Sequence, residues 1–157
     1  MTFNAVILQW ATLVPVAIAG LLLLLQGILP RRAATITAGV GFFFPLAVAL
    51  WLATQFGAAE KLEGFAFLLS QDGGYGLDLG LGRLLGIRLA FGLNGISLPL
   101  FLLAGIVGFA AGWHALRRAP DDRRTLYLGL LLFMHGGLMG VFSSIDLFFF
   151  YFFHEFA

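Results

Sequence analysis

From Asn4 to Leu29 the chain runs about 26 residues without a single charged side chain. A helix needs about 20 apolar residues to cross roughly 30 Å of hydrocarbon. A run of that length leaves no polar face with which a helix could lie on a soluble core. Met1 to Asn4 carry no basic residue and the run is far longer than the core of a signal peptide, so it reads as a permanent membrane helix.

The pattern repeats. After Pro30, Arg31 and Arg32, the segment Ala33 to Phe56 gives a second uncharged run, with Pro45 inside it as a tolerated kink. Gly95 to Leu116 and Thr125 to Ser144 predict a third and a fourth span, joined by the charged turn from Arg117 to Arg124. Asp146 stands where an N-cap or first-turn carboxylate would open a fifth helix over 146–157. About 12 residues cover roughly 18 Å at 1.5 Å per residue, short of a crossing, so the fifth helix is expected to be truncated and the chain a fragment. The interval 57–94 carries Glu60, Lys61, Glu63, Asp72, Asp78, Arg83 and Arg88 among many glycines and is expected to be a long extramembrane loop. Within it, alternation through Ile87, Leu89 and Phe91 predicts a short strand or hairpin over Gly80 to Asn94, lying on the membrane face. The expected fold is all-α: one polytopic membrane domain over 1–157, with four transmembrane helices and the start of a fifth.

Composition agrees, with 61% hydrophobic and only 11% charged residues where a soluble domain carries about a quarter. A formal charge of +1 gives no basis for nucleic-acid binding. The absence of cysteine excludes disulfides, thiolate metal sites and cysteine-ligated iron–sulfur clusters in this chain. No Gly-rich phosphate loop, metal-spaced histidine cluster or nucleophile triad appears, which argues against a self-contained enzyme. Basic residues concentrate after the first and third spans, at 31–32 and 117–124. The positive-inside rule makes those loops cytoplasmic and puts the N-terminus and loop 57–94 outside.

An ionisable side chain near the bilayer centre costs about 2.5 to 3.5 kcal/mol on translocon scales and so needs a partner or a purpose. Two positions qualify. Glu155 lies nine residues past Asp146, and His135 ten past Thr125. Both fall at similar depth on adjacent antiparallel helices, where a contact is geometrically possible. A carboxyl and an imidazole in contact stabilise each other's charged forms, which is the arrangement of a proton relay; the bland readings are a solvated chain-end carboxylate and a histidine bonded to a helix carbonyl. His154 points about 100° away from Glu155, toward headgroups, another helix or a neighbouring subunit. His114, at the end of a span, reads as interfacial. Gly105, Gly108 and Gly112, with Gly136, Gly137 and Gly140, predict faces of close helix approach. The aromatic run from Phe148 to Phe153 is apolar all round.

Phe91 to Leu100 (FGLNGISLPL) and Gly136 to Glu155 (GGLMGVFSSIDLFFFYFFHE) resemble the start of the third helix and the fourth-to-fifth helix hairpin of the subunit M family of bacterial complex I, the NADH:quinone oxidoreductase. The layout is similar over essentially the whole chain, the first two spans by hydropathy alone. The resemblance implies a proton-translocating subunit of the cytoplasmic membrane, with Glu155 in a proton channel and its companion lysine on a later helix. It implies other membrane subunits as partners, which together with peripheral ones would hold NADH, flavin, iron–sulfur clusters and quinone, while this chain binds no cofactor. Asn94 replaces the aspartate common in that family before Gly-Ile-Ser, and His154 a frequent tryptophan. A subunit of a multisubunit cation/proton antiporter or membrane-bound hydrogenase resembles the same hairpin, and a non-catalytic membrane scaffold is the alternative from a different class.

Overall fold

The computed structural model describes residues 2–71, 74–77, 85–120 and 123–157. Its helices are α1 (Thr2–Leu24), α2 (Arg31–Gln55), α3 (Ser97–Arg118), α4 (Arg124–Ser143) and α5 (Leu147–His154). The first four are long and apolar enough to cross a membrane. α1 and α2 continue unbroken through Pro15 and Pro45. α1 stops five residues before the expected Leu29 because the chain turns at Gly27, whose φ of 85° suits only a residue without a Cβ.

Around the bundle α1 packs on α2 and α4, α3 packs on the same two, α2 and α4 meet across the diagonal, and α5 lies against α4. Small residues at a seven-residue spacing build the α1–α4 seam. Ala5, Thr12 and Ala19 on one helix, and Gly129, Gly136 and Ser143 on the other, are all buried. A Cβ on Gly136 would press on Val16, and one on Gly129 would meet Leu23. Ascending positions on α1 thus meet descending ones on α4, so the two helices are antiparallel. The core forms two clusters. One, around Leu8, Leu52, Phe91, Phe101, Met139 and Phe153, lies toward the 57–94 loop; the other, around Leu22, Phe42, Leu128 and Leu132, lies toward the arginines.

The 57–94 loop is not merely a loop. A short 3-10 turn, Phe56–Ala58, leads into β1 (Lys61–Leu62), which pairs antiparallel with β2 (Phe65–Ala66). Glu63 and Gly64 between them both have positive φ, as a two-residue hairpin of matching twist requires. β3 (Ser70–Gln71) also pairs antiparallel with β4 (Gly74–Tyr75). The strand expected over Gly80 to Asn94 falls partly outside the described residues, at 80–84. Over 87–93 the chain is extended and held by backbone bridges. The Ala66 and Leu93 amides each donate to the other's carbonyl, at 2.7 and 3.0 Å, and Leu77 and Leu89 pair likewise. On the side of the α4–α5 turn, Gly92 N–H donates to the Ser143 carbonyl at 2.8 Å and Ile145 N–H to that of Ala90 at 3.1 Å. Held along both edges, the segment turns Leu89, Phe91 and Leu93 into the core, where all three are buried.

Candidate proton-handling site

α5 begins where the sequence places its first carboxylate. Asp146 is the N-cap: one carboxylate oxygen accepts from the amides of Phe148 and Phe149 at 2.9 and 3.3 Å, and the other from the Arg88 amide at 3.3 Å. The cap fixes the helix start and ties it to the 87–93 segment. From there α5 descends along two glycines of α4. A Cβ on Gly140 would enter the Phe153 ring, and one on Gly137 would meet Phe156 and the Phe153 carbonyl. Phe153 also packs against Phe91, with ring centroids 5.8 Å apart.

This packing settles where Glu155 lies. It follows the last residue of α5 as its C-cap, with helical φ and ψ. Its neighbour Phe156 is level with Gly137, six residues below the end of α4, or about 9 Å by helical rise. Phe153 and Phe156 take the face against α4, and Glu155 and His154 are exposed on the outside of the described helices. The Glu155 carboxyl is thus displayed away from α1–α4.

His135 is elsewhere. It is buried, with 2% exposure, and neither ring nitrogen has a hydrogen-bond partner. Its ring stacks on Phe42 of α2 at 6.0 Å between centroids, and a Cβ on Gly108 of α3 would fall against it. Gly137 is two positions past His135, which is about 200° of helical turn. The glycine face of α4 meets α5 while the imidazole faces α2 and α3. The two side chains lie on different faces of the bundle, and the expected Glu155–His135 contact is not made.

A polar pair not foreseen in the sequence sits on the α1–α4 seam. Ser143 Oγ donates to the Met139 carbonyl at 2.7 Å and lies 3.1 Å from Thr12 Oγ1, so the threonine hydroxyl is the donor between them. Both are fully buried. The available signal was the seven-residue repeat of small residues on both helices. Asn94 reappears as a cap for α3: its side-chain oxygen accepts from the amides of Ile96 and Ser97 at 2.9 and 2.8 Å, and Ser97 Oγ accepts from the Asn94 amide at 2.9 Å. Among the described residues no three His, Asp or Glu side chains converge as metal ligands. His114 is exposed near the arginine end of α3.

No family model matches the chain. Among curated proteins it is similar to NADH-quinone oxidoreductase subunit 13 of Thermus thermophilus, 36% identical over 147 residues, or 94% of this chain and 26% of that protein. It is also similar to NADH-quinone oxidoreductase subunit M of Pseudomonas aeruginosa, 36% identical over 74 residues (45% of this chain, 14% of that protein). NAD(P)H-quinone oxidoreductase chain 4 3 of Picosynechococcus is 39% identical over 67 residues, 43% of this chain and 12% of that one. This multi-pass helical chain is therefore similar in sequence to NADH-quinone oxidoreductase subunits, and it spans about a quarter or less of the length of these relatives.

Proposed function

We propose that the chain is part of a proton-translocating membrane subunit of an NADH-quinone oxidoreductase, of the subunit M type, and that Glu155 is its proton-carrying carboxyl. The similarity to the Thermus subunit over 94% of the chain supports the first half of this reading. The placement of Glu155 supports the second. A carboxyl exposed on α5 at membrane depth is costly in lipid, so it calls for a polar or cationic partner on a helix packed outside α1–α4. A carboxyl that exchanges its proton while its partner's charge rises and falls is a coupling element; electron transfer from NADH to quinone would belong to other subunits. His135 enters as a modulator from the opposite face of α4, without direct contact to Glu155.

The test is Glu155→Gln in the whole protein, assembled with its partners. Proton uptake into vesicles per NADH oxidised should fall to a small fraction of the unsubstituted value while the complex still assembles. Unchanged pumping and turnover would sink the assignment.

A further inference from the structure

α2 and α4 begin side by side at the arginine end of the bundle. Between their first turns lies a shallow, open surface cavity of about 330 Å³ lined by Arg31, Arg32, Thr35 and Ile36 of α2 and Arg124 of α4. Arg124 is held at its mouth, donating from Nη1 to the Leu116 carbonyl at 2.9 Å and from Nη2 to that of Ala119 at 3.2 Å. Neither helix has an acidic residue in its first turn or a side-chain cap, although the partial positive charge of a helix N-terminus favours an anion. Arginine opens both instead. The two turns at this end hold Arg31, Arg32, Arg117, Arg118, Arg123 and Arg124 against Asp121 and Asp122. Six cations against two anions leave an excess of four positive charges, however the pairs are arranged.

The cavity continues into an apolar track. Ile36, Val40 and Phe43 follow at helical spacing down the same face of α2 and are 69%, 56% and 56% exposed. Phe43 leads to Phe109 of α3, and Phe109 to Trp113, with centroids 6.0 and 6.1 Å apart. A free phosphate would use the arginines and ignore this track. A phospholipid uses both.

We propose that this cavity binds an anionic phospholipid of the adjoining leaflet, with its phosphate among Arg31, Arg32 and Arg124 and one acyl chain along Ile36, Val40 and Phe43. The shared chemistry is that of a phosphate oxyanion, and the acyl track selects the lipid over the free ion.

The intact protein, stripped of lipid in a neutral detergent, is titrated by native mass spectrometry with phosphatidylglycerol, phosphatidylcholine and inorganic phosphate in turn. Phosphatidylglycerol should bind most tightly. The double variant Arg31→Gln/Arg32→Gln should weaken it roughly 30-fold, at about 1 kcal/mol for each basic residue near an anionic lipid. The pair Arg117→Gln/Arg118→Gln removes the same charge at the same end but outside the cavity, and should weaken it only a few-fold. Equal losses from the two pairs would reduce the site to general surface attraction and overturn the proposal. Should the variants fail to assemble, arginine modification by phenylglyoxal on the unsubstituted protein decides. Phosphatidylglycerol should shield Arg31 and Arg32 more than Arg117 and Arg118, and more than millimolar phosphate does. Equal shielding by inorganic phosphate would make it a free-anion site and overturn the lipid assignment.

Discussion

A single methyl group tests how closely these helices meet. Cβ atoms on Gly112 and Gly140 would enter the rings of Phe42 and Phe153, whereas one on Gly20 meets nothing within 4 Å. Gly112→Ala and Gly140→Ala should each lose about 1–3 kcal/mol by overpacking, while Gly20→Ala should stay within about 0.5 kcal/mol of the unsubstituted chain; reversible unfolding in mixed detergent micelles measures all three. That these glycines mark close approach was legible in the sequence. Which helix each one faces was not, because residue counting fixes depth along a helix but not its rotation against its neighbours. The same gap explains His135: ten residues of rise give a position along α4, but the two-position step from it to Gly137 turns it from α5 to α2 and α3. With both ring nitrogens unpartnered and a phenyl ring stacked on it, His135→Phe should leave stability unchanged or raise it, since removing an unsatisfied buried polar group relieves its desolvation cost. A clear fall in the same unfolding measurement would show that the imidazole holds a bond, such as one to a buried water.

Among the elements, the four spans were readable to within a few residues because uncharged length alone dictates a crossing. The 57–94 segment was less so. Beyond its two local hairpins it is held by bridges between residues distant in sequence, Ala66 with Leu93 and Phe91 with Ser144, and local alternation carries no information about those. Capping residues stand between these cases. Asp146 was legible as a cap from its place before an apolar run, while its second tie, to the Arg88 amide, is a tertiary contact. Asp146→Ala removes the acceptor for the α5 amides and should cost about 1 kcal/mol, together with faster proteolysis at the α4–α5 turn; Asp146→Asn keeps one acceptor oxygen and should lose less. At α3, the two amides that Asn94 receives require only an oxygen. Asn94→Asp should therefore unfold at the same detergent fraction as the unsubstituted chain, and Asn94→Ala about 1 kcal/mol earlier.

At the scale of the whole molecule the two ends of the bundle differ in kind. One end gathers the arginines of the α1–α2 and α3–α4 turns, with Arg117 lying over the Trp113 ring at 4.4 Å; the other carries the hairpins, both capping residues and the Trp51–Asn4 hydrogen bond of 3.3 Å between the end of α2 and the start of α1. Antiparallel neighbours oblige all the basic turns to share one side, so the orientation is a single binary choice. From the positive-inside rule we propose that the arginine end faces the cytoplasm. Because the chain has no cysteine, single substitutions can report on this without any background from the chain itself. Glu63→Cys, at the exposed tip of the β1–β2 hairpin, should react with a membrane-impermeant maleimide in intact cells. Arg118→Cys, exposed at the end of α3, should react only in inverted vesicles or after permeabilisation. The reverse pattern would put the arginine cavity in the outer leaflet and turn α5 round, so that Glu155 would lie on the path of protons entering from the cytoplasm. Labelling of both positions in intact cells would mean that one of the four helices does not cross, and the antiparallel bundle itself would have to be redrawn.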